Sequence, residues 1–285
     1  MDSELKVVIS ASRRSDLVAH FPQWLAEALS QEKATLIFPR RNKREISLEP
    51  EKVHTLVLWS KDFHHLLTNK YNLLDLCQKY DQLYFHFTIT GLGGTLIEKY
   101  VIRPEEALAQ IKPLLEIAGS PLRLSLRFDP IVYWWEDQTL KSNLDFFPRI
   151  ARAASASGLR QIRFSFAQWY RKARLRAERL GLNYFDPPAE EKIEAAQKLS
   201  QIASAFDLEL LACAQAFLTT VPGIKPSACI DGALLQKLHP RQAPVSLAKD
   251  KTQRPECHCT ESIDIGSYTQ SCPNSCLYCY ANSRL

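Results

Sequence analysis

Cys272, Cys276 and Cys279 stand in the run Cys-Pro-Asn-Ser-Cys-Leu-Tyr-Cys-Tyr, a C-x3-C-x2-C spacing with an aromatic residue, Tyr278, directly before the last cysteine. Thiolates this close in sequence can wrap one small inorganic core. Three ligands on a four-iron cube leave one iron without a protein ligand, where a substrate or cofactor can coordinate. Zinc is the alternative, although its tetrahedral sites more often use paired C-x2-C knuckles. Of the eight cysteines in the chain, Cys257, Cys259, Cys272, Cys276 and Cys279 crowd into residues 257–285. In a reducing compartment such crowding reads as metal or cluster ligation rather than a disulfide framework.

Cys77, in an apolar leucine-rich stretch, reads as a buried structural thiol. The other four, Cys213, Cys229, Cys257 and Cys259, make a candidate second site. Four thiolates close a site to substrate and suit an auxiliary [4Fe-4S] cluster or a structural zinc. A third constellation carries charge: Arg13 with Arg14, and Arg127 with Asp129, directly abut apolar runs, where a charge is costly unless paired or liganded. Two guanidinium groups can hold a carboxylate or phosphate by bidentate hydrogen bonds, and Asp129 can orient one of them or accept a proton. Arg13, Arg127 and Asp129 are therefore the candidate catalytic residues.

The elements that must position these groups are read from periodicity. Strand-like runs fall at residues 6–10, 35–38, 55–59, 82–90, 123–128, 161–166 and 209–213, with a weaker one at 263–268. Helical patterns lie at 22–29, 71–79, 104–117, 141–157, 189–206 and 231–238. Their alternation predicts parallel βαβ units, and eight strands in 285 residues favour an α/β fold of the complete or partial (β/α) barrel type over a doubly wound sheet. Polar residues gather where the strands should end: Ser12 to Asp16, Ser60 to Asp62, Thr88 with Thr90, Arg127 with Asp129, Ser165 with Gln168, and Cys213 with Gln215. In barrel enzymes the loops at that end build the active site. Residues 1–240 form the expected barrel body, and 241–285 a cysteine-rich tail that completes it. Two basic runs, Arg40 to Arg44 and Arg171 to Arg176 after Trp169-Tyr170, read either as phosphate grips or as solvated faces.

The C-x3-C-x2-C run, ending in Cys-Leu-Tyr-Cys-Tyr, resembles the signature of radical S-adenosylmethionine enzymes, most closely the version in spore photoproduct lyase and its relatives. The resemblance implies a [4Fe-4S] cluster on Cys272, Cys276 and Cys279, with Tyr278 beside them in cofactor binding. It also implies S-adenosylmethionine chelated to the open iron and cleaved reductively to a 5′-deoxyadenosyl radical. In that superfamily the motif follows the first barrel strand, whereas here it is C-terminal. A circularly permuted barrel reconciles the two, with residues 263–268 as the strand before the cluster loop. The whole chain also resembles a bacterial domain-of-unknown-function family, through Ser10 to Asp16, Leu58 to Lys61, Phe87 to Gly91, Arg127 to Pro130, Ala228 to Asp231 and Glu256 to Ala281.

Composition narrows the classes. With 46% hydrophobic and 24% charged residues the chain is globular, not disordered or fibrous. A net charge of +5 permits an anionic or nucleic-acid substrate but is too small for a dedicated nucleic-acid binder. No apolar run is long enough to span a bilayer, and the acidic start, Met1-Asp2-Ser3-Glu4, lacks a signal-peptide pattern. The expectation is a cytoplasmic radical S-adenosylmethionine enzyme with an unidentified substrate and a reductase or flavodoxin-type electron donor. Its rivals are a zinc-stabilised nucleic-acid-binding protein and an iron-sulfur electron-transfer module.

Overall fold

The computed structural model describes residues 5–38, 42–267 and 270–281. Its centre is an eight-stranded sheet in which every pairing is parallel. In chain order the strands are β1 (Val7–Ala11), β2 (Val53–Ser60), β3 (Leu83–Thr88), β4 (Leu124–Ile131), β5 (Gln161–Phe166), β6 (Glu209–Ala212), β7 (Ile224–Pro226) and β8 (Ile263–Asp264). In space the order is β8-β1-β2-β3-β4-β5-β6-β7, so β1 to β7 follow one another in chain order and the last strand lies beside the first. Among the described residues β7 and β8 have one neighbour each and do not pair with each other. The sheet is therefore consistent with the partial form of the expected α/β fold, and no closed barrel forms.

Alternation along each strand builds two unlike faces. Leu56 and Leu58 of β2, Phe85 and Phe87 of β3, Leu126 and Phe128 of β4, and Phe164 and Phe166 of β5 join the main core. Helices supply the other half of that core, including Pro22–Ser30 through Leu25, Phe147–Ala156 through Ile150, and Ala189–Ser204 through Leu199. The opposite face presents Val8, Val57, Trp59 and Tyr84. It is covered by Cys229, Ile230, Leu235, Val245, Cys257 and Cys259, so part of the tail acts as a lining layer rather than an appendage.

Several expected elements moved. The run at 35–38 belongs to a separate antiparallel hairpin of Lys33–Ile37 with Lys43–Ser47, and the sheet takes its eighth strand from Ile224–Pro226 instead. The helical pattern at 104–117 is two helices, Pro104–Ala109 and Ile111–Ala118. They part at Gln110, whose side chain accepts from Phe63 N at 2.7 Å and donates to Asp62 at 2.7 Å. The start of the 141–157 pattern is strand: Thr139–Ser142 pairs with Tyr133–Glu136, which also pairs with Asn183–Phe185. Tyr268, part of the weak strand run, lies outside the described residues, as do Arg40 and Arg41 of the first basic run.

Candidate metal and cofactor site at the strand ends

The strand ends converge through carboxylates. Asp264 of β8 accepts from Ser10 Oγ at 2.9 Å, Arg13 N at 2.8 Å, Arg14 Nη1 at 2.6 Å and Gly266 N at 2.9 Å, fastening the last strand to the loop after the first. The following turn leaves no room for a side chain at Gly266, where a Cβ would stand 2.0 Å from Ser12 Oγ. Asp16 caps the helix Leu17–His20 through Ala19 N at 3.0 Å and accepts from Ser60 Oγ at 2.7 Å and Lys61 N at 2.8 Å. It also accepts from Asn274 Nδ2 at 3.2 Å, while Asn274 Oδ1 lies 2.7 Å from His20 Nε2, so the cysteine loop is pinned at its middle.

Arg176 pins the other end. It is only 8% exposed, and its guanidinium donates to the carbonyls of Cys276 at 2.8 Å, Cys279 at 3.1 Å, and Leu277 and Ala281 at 3.4 Å. The helix that carries it, Arg171–Arg179, packs Ala173 and Ala177 against Leu277 and Tyr278. One of the four basic residues of the second run is thus an internal clamp, with Arg171, Lys172 and Arg174 exposed to solvent. Trp169 is buried against Tyr184 at 4.1 Å between ring centroids, and Tyr170 is exposed.

The three loop thiols share one neighbourhood with a buried ion pair. Lys61 Nζ donates to Glu98 Oε1 at 2.8 Å, and the same oxygen accepts the Tyr278 hydroxyl. Glu98 is fully buried, and its Oε2 has no hydrogen-bond partner among the described residues. Burial works against the Lys61 charge, but Glu98 and then Cys276 outweigh it and hold its pKa above the usual lysine value. Burial pushes the Cys272 thiol up to about 11, with Asp16 adding to it, and raises Cys276 well above its ordinary value with help from Glu98. Burial likewise raises Cys279, against the charges of Arg176 and Lys61.

The second cysteine group is also assembled. Cys213 Sγ lies 3.7 Å from Cys229 Sγ, Cys259 interacts through its side chain with both Cys229 and Cys257, and Ile230 N donates to Cys259 Sγ at 3.4 Å. Hydrogen bonding with Cys213 and Cys259 holds Cys229 well below the ordinary thiol pKa, and the same contacts raise Cys213 and Cys259. Cys257, hydrogen-bonded to Cys259, falls to about 6. Among the described residues, no three or more His, Cys, Asp or Glu side chains converge on one ion position.

Arg13, Arg127 and Asp129 lie between the two groups. Lys61 feels both Cys276 and Asp129, and Arg127 feels Asp129, Cys229 and Cys213. Both guanidiniums lie over Trp59, with Arg13 at 5.7 Å and Arg127 at 5.0 Å from the ring centroid. Each already has a partner: Arg13 bonds Asp250 at 3.3 Å and Ser262 at 3.2 Å, and Arg127 pairs with Asp129, which also accepts from Ser165. Sequence reasoning missed Glu98, Arg163, which stands in register with Arg127, and His86, which stacks on Trp59 at 3.9 Å; it took Arg176 only as one of a basic run and grouped Lys61 only with its polar neighbours.

The sequence model for a domain of unknown function, DUF1848, matches residues 8–281. The chain belongs to the DUF1848 family. The matched span takes in all eight sheet strands but the first residue of β1, together with every residue of both cysteine groups. The DUF1848 description carries no reaction, and the search of curated proteins found no match.

Proposed function

We propose that this protein is a radical S-adenosylmethionine enzyme, with Cys272, Cys276 and Cys279 holding a [4Fe-4S] cluster and Arg13, Arg127 and Asp129 facing an unidentified substrate. One observation carries the reading: three thiols on one pinned loop follow directly from a parallel strand, at the strand ends where α/β enzymes build their sites. The donor set fits the group, since three thiolates leave one coordination position for the cofactor. When bound, the cluster and S-adenosylmethionine supply an electron for carbon–sulfur cleavage and a deoxyadenosyl radical.

The chain's own residues do the rest. Arg176 and Asp16 hold the loop, which lowers the ordering cost of binding iron. Glu98 Oε2, buried beside Cys276 and Cys279 without a partner, supplies an acceptor for the cofactor's ammonium group. Arg127 pairs with Asp129 and orients it, and its unpartnered Nε remains to bind an anionic substrate. A reductase or flavodoxin-type protein is the expected electron source. No described helix is long and apolar enough to cross a membrane.

The test is anaerobic preparation followed by reduction with S-adenosylmethionine present. Brown protein that releases 5′-deoxyadenosine and methionine is expected, and changing Cys272, Cys276 and Cys279 together to Ala should remove about four irons per chain. A fully loaded cluster that yields no deoxyadenosine, with spectra unchanged by the cofactor, would leave electron transfer as the function. Colourless protein after reconstitution would remove the cluster itself.

A further inference from the structure

Arg163 of β5 is 3% exposed, and no carboxylate among the described residues lies within ion-pair distance of it. Its Nη1 donates to Ser125 Oγ at 2.6 Å and its Nη2 to Ala228 O at 3.2 Å, while Nε has no partner. Across the sheet it stands in register with Arg127, so two buried guanidiniums lie side by side and repel. Asp129 balances one of them. The remaining side chains near Arg163 that could carry negative charge, and only by losing a proton, are Tyr84, Cys229 and Cys213. A third cation, Arg13, is influenced by Cys259 and Cys229 of the same group. Buried charge of one sign requires charge of the other nearby, and neutral thiols or a disulfide would not supply it.

We propose that Cys213, Cys229, Cys257 and Cys259 form a structural tetrathiolate site for one zinc ion, separate from the site at Cys272, Cys276 and Cys279. Four thiolates around a divalent ion carry two net negative charges, which answers Arg163 and Arg13. Tetrahedral ligation with zinc–sulfur bonds of about 2.3 Å sets ligand sulfurs roughly 3.8 Å apart. The Cys213–Cys229 separation is 3.7 Å. A four-iron cube binds its thiolates on separate irons and spreads them farther. Ile230 N donating to Cys259 Sγ at 3.4 Å is the kind of outer contact that orients a ligand sulfur. Cys257 and Cys259 are buried on either side of exposed His258, so both thiols turn inward while the imidazole does not. As placed, the sulfurs form a chain of contacts, Cys213 to Cys229 to Cys259 to Cys257, and the ion closes that chain into a shell. The site ties the segment before β8 to the ends of β6 and β7, across the face that carries Trp59.

The test uses the full chain in which Cys272, Cys276 and Cys279 are all changed to Ala, so its outcome does not depend on whether the wild type cleaves S-adenosylmethionine. About one zinc per chain should survive desalting. Cobalt exchanged into that position should show the thiolate-to-cobalt charge transfer and visible bands of a tetrahedral tetrathiolate. Cys229→Ser should abolish both. If that variant does not accumulate, Cys257→His keeps a zinc ligand and should shift the cobalt bands toward mixed nitrogen–sulfur ligation. Iron with sulfide in place of zinc, protein without bound metal, a Cys213–Cys229 disulfide by mass, or unshifted cobalt bands in Cys257→His would each overturn the proposal.

Discussion

Replacing Arg176 with methionine removes the guanidinium that holds the cysteine loop while keeping an unbranched apolar stem at that position. The two shorter bonds, to Cys276 O at 2.8 Å and Cys279 O at 3.1 Å, dominate the loss. Hydrogen bonds to a charged group contribute about 1.5–3 kcal/mol each. Cys276 and Leu277 are buried, so their carbonyls are left unsatisfied, whereas Cys279 and Ala281 are accessible enough for water to substitute. The net cost to the closed loop is therefore about 3 kcal/mol, which at about 1.4 kcal/mol per factor of ten is somewhat more than a hundredfold in the opening equilibrium. Amide hydrogen exchange reads that equilibrium directly. Leu277 N donates to Ile97 O at 3.0 Å and Cys279 N to Cys276 O at 3.1 Å, and protection at both should fall by about that factor. Protection at Leu56 and Phe85 in the central strands should not change. Wild-type protection at Leu277 would refute the clamp. An equal loss across the sheet would instead make Arg176 a determinant of the whole fold.

Gly266→Ala forces a Cβ to within 2.0 Å of Ser12 Oγ, which itself accepts from Arg14 N at 3.0 Å, and should lower stability by about 1–3 kcal/mol in denaturant titration. Ser12→Gly in the same chain should recover part of that loss, and two additive losses would show that the pair does not clash. Burial holds both His54 and His239 below the ordinary histidine pKa, and their rings lie 4.5 Å apart. A depressed histidine pKa means that the unfolded chain binds more protons, so this contribution is fully present above about pH 6.5 and is lost as pH falls toward the folded values. Urea midpoints should drop between pH 7.5 and 5.5, and His54→Gln should flatten that dependence. An unchanged slope in the variant would count against it.

The order of the large strands was legible because each is a continuous apolar run bounded by turn chemistry. The run at 161–166 matches Gln161–Phe166, and that at 209–213 overruns Glu209–Ala212 by one residue. Ile224–Pro226 was not legible: it is three residues long, carries Lys225 and ends in proline, and only its place beside β6 makes it a strand. The hairpin at Tyr133–Glu136 escaped for the opposite reason, since its tryptophans resemble core rather than an outlying ribbon. At the site, local spacing singled out Cys272, Cys276 and Cys279, whereas the second thiol group was reached only as the cysteines left once these and Cys77 were set aside. Glu98 and Arg163 left no trace, since one sits in a loop and the other within an apolar strand, and their roles arise from partners far off in sequence.

The pairing of the last strand with the first bears on how the chain is made. During synthesis one edge of β1 has no partner until β8 emerges, more than 250 residues later, and the Ser10–Asp264 bond spans 254 positions. Contacts of such long separation form late. Until then the unpaired edge of β1 is open to other chains, and the Asp264 clamp that would cover it does not exist. The three thiols of the pinned loop come later still, so any metal there must be delivered to a sheet that is otherwise complete. Fusions or truncations beyond β7 should therefore fail first at the β1 edge, as self-association, before the central strands are affected.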